Sequence, residues 1–362
     1  MRFPPRTLTL VSMNLVNDPA SLFAVVMGLA VLGPLFSDVL GIPVIVSITI
    51  LGVVLGPQGF GILDLGMSLQ FLGALGLIFV FFASGAELDL EKVRKRPFAS
   101  LSFGFLTFLL PFLTGLGFGR FLLKMDLRSS LLMGAFFASS GSHLIPLAAR
   151  PDILARESAE TGRLGIGMSR LFAALSLFIL SFFSSGSLAF PSFKAAALQA
   201  AYFLSIILFL PFFSALVIRK TKAPGTADTA FILFIVFAAA ALGPFVGVGE
   251  YLGAFFAGLV VAPLLGASKP LNARLDFLGK VFFTPFLLIF LGVAVDFSRI
   301  ANPSMVLFMI LGSVVLGIGS KFAAAAISSR ILRYQPADRG LLFSFYSSFG
   351  IFSLAFAFVA GN

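Results

Sequence analysis

The chain has no cysteine and no tryptophan, one histidine in 362 residues, and only 11% charged side chains. Without cysteine there are no disulfides, thiolate metal sites or thiol redox chemistry. Without tryptophan, any aromatic belt at a membrane interface falls to tyrosine and phenylalanine. No stretch is polar enough to form a soluble domain; the longest polar runs are the loops 87–97 and 150–163. The N-terminal segment 1–19, with Arg2 and Arg6, lacks the basic, apolar, small-residue order of a cleavable signal. Enzyme signatures are missing too. Gly247–Gly253 has one residue too many for a dinucleotide fingerprint, and there is no Walker A run, metal-ligand cluster or Ser-His-Asp context. No enzyme activity, cofactor, metal or nucleic-acid partner is expected.

What the chain does have is apolar length. Hydrophobic residues make up 59% and the mean hydropathy is +1.07. Crossing the hydrocarbon core takes roughly 20 mostly apolar residues. Twelve segments approach this, near 20–37, 42–57, 68–86, 97–119, 129–148, 163–184, 195–218, 229–243, 249–265, 277–295, 303–327 and 340–361. The expected fold is an all-α polytopic membrane protein of about twelve transmembrane helices, spanning 20–362. Glycine-rich runs such as Gly115–Gly119 and Gly253–Gly258 suit close packing of such helices.

The net charge of +10 reads as orientation rather than as a nucleic-acid footprint. The loops after segments 3, 5, 7, 9 and 11 hold 16 Lys and Arg, and the opposite side holds 7. By the positive-inside rule the basic loops are cytoplasmic and the N-terminus outside, as expected of a multi-pass protein of the inner (plasma) membrane. Two cations remain, Arg170 and Lys321, inside segments 6 and 11.

Segments 5 and 12 look alike at their centres. One reads Phe137-Ala-Ser-Ser-Gly141, followed by Ser142 and His143; the other reads Phe345-Tyr-Ser-Ser-Phe-Gly350. Ser139, Ser140 and Ser142 would thus face Ser347 and Ser348 from two interrupted helices, the pattern of a transporter binding site built from inverted repeats. Close helix packing is the other reading of the same residues. A seven-segment repeat spacing leaves the second repeat one helix short at Asn362.

Several runs resemble the monovalent cation:proton antiporter-2 family, whose Kef-type branch exports potassium. They are Gly41-Ile-Pro-Val44, Leu51-Gly-Val-Val-Leu-Gly-Pro-Gln-Gly-Phe-Gly61, and Leu75-Gly-Leu-Ile-Phe-Val-Phe-Phe-Ala-Ser-Gly-Ala-Glu-Leu-Asp-Leu90. Gly249-Glu-Tyr-Leu-Gly-Ala-Phe-Phe-Ala-Gly-Leu259 and Phe282–Asp296 continue the likeness. The resemblance implies a sodium/proton antiporter fold with two crossing discontinuous helices and a mobile core moving against a dimerisation domain, hence a homodimer. It implies antiport of a proton against Na⁺ or K⁺. It also exposes a departure. The family's ion-binding Asp, about ten residues after a Gly-Arg pair (here Gly162-Arg163), aligns with Ala173. The family's basic residue of segment 11 is matched by Lys321, whereas its Arg-Gly-Glu run is replaced by Tyr346–Gly350.

Weighed singly, His143 is either the proton carrier that replaces the missing acid or a hydrogen-bonded helix-end residue. Arg170 either snorkels to the interface or puts a charge in the core. Lys321 either pairs with an ion site or satisfies helix-end carbonyls. Glu87 and Asp89 adjoin Lys92–Arg96 and read as a salt-bridged cap. Glu250 suits a helix N-terminus or a cation-attracting vestibule. Secondary antiport is the expected function. The missing acid leaves two alternatives open: a transport-inactive sensor or anchor, and anion or organic-acid transport using Arg170 and Lys321.

Overall fold

The computed structural model describes residues 18–139, 157–183, 193–220, 225–296 and 303–346. Each of the twelve apolar segments contains helix among these residues. Among the described residues, eight helical stretches are long and apolar enough to cross a membrane, and two shorter apolar helices, Val44–Leu55 and Leu127–Ala138, accompany them.

The helices start and stop where local chemistry dictates. α1 (Pro19–Leu40) opens with proline at its first position and with Asp18 accepting from the Ser21 amide, and it ends at Gly41, whose φ of 65° favours glycine. α2 is Val44–Leu55, α3 Met67–Ala86, and α4 the short Leu90–Lys95, capped by Asp89. α5 (Pro97–Gly117) starts on proline and runs into a π-helical turn, Phe118–Leu122. α6 (Leu127–Ala138) is capped by Asp126, which accepts from the Ser129 amide at 3.1 Å. The hydrogen bonds from Ser129 hold the Asp126 carboxyl below its usual range. Then come α7 (Glu157–Phe183), α8 (Phe193–Lys220), α9 (Thr226–Leu242), α10 (Glu250–Ala267) and α11 (Lys269–Leu278). A second π turn, Gly279–Phe283, leads into α12 (Thr284–Val293). α13 (Pro303–Ile331) and α14 (Pro336–Tyr346) complete the described residues.

The chain divides into two compact units, Met1–Gly76 with Val281–Arg299, and Leu77–Lys280 with Ile300–Asn362. In the first, α2 and α12 meet through glycine. A Cβ on Gly52 would lie 2.7 Å from the Ile289 carbonyl oxygen, and one on Gly292 would lie 2.9 Å from the Gly52 Cα. Only glycine lets the two backbones approach this closely. Phe23 packs on Phe282 and Phe286 in the same unit.

In the second unit α5 is central and packs on α6, α7 and α13. Exposure is inverted relative to a water-soluble protein. Leu208, Phe209 and Phe212 on α8, and Leu311 and Val315 on α13, are exposed, while Arg170, Ser169 and Lys321 are buried. An apolar outside with polar groups turned inward is what a bilayer solvent selects.

Candidate functional site

The site begins where a helix stops. α6 stops at Ala138, and Ser139 is extended, with φ −71° and ψ 141°. Its last carbonyls therefore lack helical partners and must find donors elsewhere. Three side chains from other helices supply them. The Lys321 ammonium on α13 donates to the Ser139 carbonyl at 3.1 Å. The Tyr346 hydroxyl, at the end of α14, donates to the Ala138 carbonyl at 2.9 Å. The Ser169 hydroxyl on α7 donates to the same carbonyl at 3.4 Å and lies 3.2 Å from the Tyr346 hydroxyl. Ser139 turns its own hydroxyl back to Phe136. Lys321, Tyr346, Ser169 and Ser139 are all completely buried.

Electrostatics explain the choice of donors. The C-terminal end of a helix carries partial negative charge, so a cation is stabilised there. The Lys321 nitrogen also lies 5.3 Å from the centroid of the Tyr346 ring, whose face favours positive charge. A half-helix end, an ammonium and two hydroxyls thus form one hydrogen-bonded group.

Among the described residues, the buried carboxylates are Asp228 and Asp338, both at helix starts. Ala173, four residues beyond Ser169 on α7, is completely buried and brings no acid to the middle of that helix. Arg170 is 3% exposed and pairs with Glu87, whose side chain is 49% exposed. Its charge is thus met by a half-exposed carboxylate from the segment after α3. Leu88 beside Glu87 packs with Leu164 and Met168 of α7, and a Cβ on Gly167 would strike its side chain. Asp89 caps α4 and pairs with Lys92 at 3.1 Å.

Of the residues singled out from the sequence, Ser139, Arg170, Ala173 and Lys321 are described, and Ser139 and Lys321 meet directly. Ser140, Ser142, His143, Ser347 and Ser348 lie outside the described residues. Sequence reasoning missed Ser169, Tyr346 and the reach of Glu87. For Tyr346 there was a signal: it is one of only four tyrosines, set within an apolar segment, and a hydroxyl there needs a partner.

The family model described as sodium/hydrogen exchanger, transmembrane, matches residues 26–362. The chain belongs to that family. It is 29% identical over 322 residues to the Na(+)/H(+) antiporter NhaS5 of Synechocystis sp., covering 88% of this chain and 46% of that one. It is 25% identical to the probable Na(+)/H(+) antiporter 3 of Methanocaldococcus jannaschii, over 86% of this chain and 81% of that one. The glutathione-regulated potassium-efflux system protein KefC of Enterobacter sp. is also similar, 25% identical over 77% of this chain and 46% of its own. The chain therefore spans about half the length of some of these relatives. Among solved structures, the sodium proton antiporter MjNhaP1 of Methanocaldococcus jannaschii superposes with a TM-score of 0.73 over 95% of this chain and 85% of that one, at 16% identity. That likeness establishes the exchanger fold: all-α, polytopic and with discontinuous helices.

Proposed function

We propose that the chain is the membrane domain of a secondary transporter that exchanges protons for a monovalent cation, Na⁺ or K⁺, by alternating access. The observation that carries this reading is the group at the end of α6. Four oxygens belong to it: the Ser139 carbonyl, to which the Lys321 ammonium donates, and beside it the Ala138 carbonyl with the hydroxyls of Ser169 and Tyr346. When Lys321 is protonated, its charge occupies the carbonyl end. When Lys321 is neutral, the same oxygens are open to a monovalent cation. Proton and cation then compete for one place without an acid at position 173. The resemblance of the first hundred residues favours the Kef-type branch and a homodimer, and the loop charges favour basic loops in the cytoplasm of a plasma membrane.

A second reading is favoured by Ala173. The buried middle of α7 has no carboxylate, and Arg170 and Lys321 both add positive charge. This suits a membrane module that senses or anchors without transporting, or one that moves a small anion.

Proteoliposomes with an internal pH dye separate these readings. Na⁺, K⁺ and small anions are supplied in turn to the wild-type chain and to Lys321→Met. Cation-driven proton flux that disappears in Lys321→Met is the expected result. Flux driven only by anions, or no flux with any ion, overturns the exchange reading.

A further inference from the structure

We propose that a second polar site, filled by water, lies where the ends of α5, α7, α13 and α14 converge, and that protons enter it on their way to Lys321. This rests on the reading of Lys321 as the proton-exchanging group. The hydroxyls of Ser100, Ser158, Ser328 and Ser329 are more than nine-tenths buried and have no hydrogen-bond partner, and the Nε of Arg339 is buried without one as well. Apart from the ion-paired Arg96, such atoms occur elsewhere among the described residues only at Ser214, Asp228 and Thr229.

Contacts between these helices draw the segments that carry the serines together. Arg96, at the start of α5, pairs with Glu157 and Glu160 at the start of α7. The hydroxyls of Thr161 on α7 and Tyr334 just past α13 are 2.7 Å apart. Phe103, Ala325 and Leu342, from α5, α13 and α14, form one buried cluster against which Tyr334 packs. Ser100 falls between Arg96 and Phe103, Ser158 next to Glu157, and Ser328 and Ser329 between Ala325 and Tyr334. Each orphan hydroxyl is thus within about a turn of a contact that joins the helices. Buried hydroxyls left without protein partners are the places where ordered water is held.

The same order repeats along the helices. On α7 it is Ser158 and Thr161, then Gly165 and Ile166, then Ser169. On α13 it is Ser328, then Ala325, then Lys321. On α14 it is Asp338, then Leu342, then Tyr346. All of these are buried, and Gly165 presses on the Phe103 ring so closely that a Cβ there would collide with it. Ser328 and Lys321 are seven residues apart, about 10 Å along the helix. One apolar layer, built on Phe103, Ala325 and Leu342, therefore separates the orphan serines from the group at the end of α6. A hydrated cation does not pass such a layer, whereas a proton crosses on a transient file of water. A hydronium in the outer site protonates the neutral Lys321 amine through that file, leaving water and an ammonium; release is the reverse.

Cysteine chemistry tests this, since the chain has none of its own. In inverted membrane vesicles, Ser100→Cys, Ser158→Cys and Ser328→Cys should react with a small water-soluble methanethiosulfonate at least roughly tenfold faster than Ala325→Cys, because only a hydrated thiol ionises readily. Equal, slow reaction at all four positions overturns the water site. Leu342→Ala, which thins the barrier, should raise proton flux in proteoliposomes, and the pair Ser328→Ala with Ser329→Ala should lower it. Reactive cysteines with flux unchanged in both variants overturn the proton-entry role. Labelling needs no transport. Fast labelling in a chain that moves no ion would therefore count against the exchange function and not against the water site.

Discussion

The Lys321 ammonium lies 3.1 Å from the Ser139 carbonyl oxygen, two groups 182 residues apart in sequence. The end of one helix is thereby closed by a side chain from another, and the same nitrogen is a group that can gain or lose a proton. Structure and chemistry are coupled at this one contact, so substitutions here should change both.

Lys321→Met removes the donor that reaches the Ser139 carbonyl in the core. A loss of about 1.5–3 kcal/mol is expected for a hydrogen bond from a charged group. Thermal unfolding in detergent should show it as a lowered midpoint, alongside the loss of exchange. Unchanged unfolding would mean that the contact contributes nothing to stability.

Arg170 and Glu87 form the next test. Glu87→Gln takes the carboxylate away from a guanidinium that is 3% exposed. Breaking a buried pair costs about 3–5 kcal/mol, but Glu87 is half exposed, so solvent screening reduces this to about 1–2 kcal/mol. The double change Glu87→Gln with Arg170→Met should recover part of the loss, because the buried guanidinium is then gone as well. A double variant less stable than Glu87→Gln alone would contradict this account.

Ala173→Asp introduces an acid four residues after Ser169 on α7, on the same side of the helix. Arg170 is already engaged by Glu87, so the new carboxylate is expected to act on the Lys321 group. Proton flux should become more strongly dependent on Na⁺ or K⁺, while stability falls by about 1–3 kcal/mol for burying a polar group. Flux measured across a range of cation concentrations decides. An identical cation dependence in variant and wild type would count against this placement of the site.

Topology is open to direct labelling. The side holding 16 loop cations against 7 is expected in the cytoplasm. In intact cells an impermeant thiol reagent should leave Lys95→Cys unmodified and modify Lys194→Cys. The opposite pattern would invert the orientation.

The sequence alone determined the class of the molecule. Apolar runs of this length have only one stable arrangement in lipid, a bundle of helices with satisfied backbones. All twelve segments contain helix where the hydropathy put it. The end of α6 at Ala138 falls where the serine- and glycine-rich run of segment 5 begins. Lys321 was legible as an ionisable group in an apolar run, since such a charge is costly and calls for a partner.

The partners themselves were decided only by tertiary structure. Ser169 and Tyr346 look like ordinary packing residues until three separate helices bring them to the Ala138 carbonyl. Arg170 was equally compatible with the core and with the interface, and nothing in its own helix pointed to its partner Glu87, 83 residues earlier. A helix pattern specifies which face is apolar but not which neighbour that face meets. Contacts between residues that are distant in sequence follow from how the helices pack, and the chemistry of the site consists of those contacts.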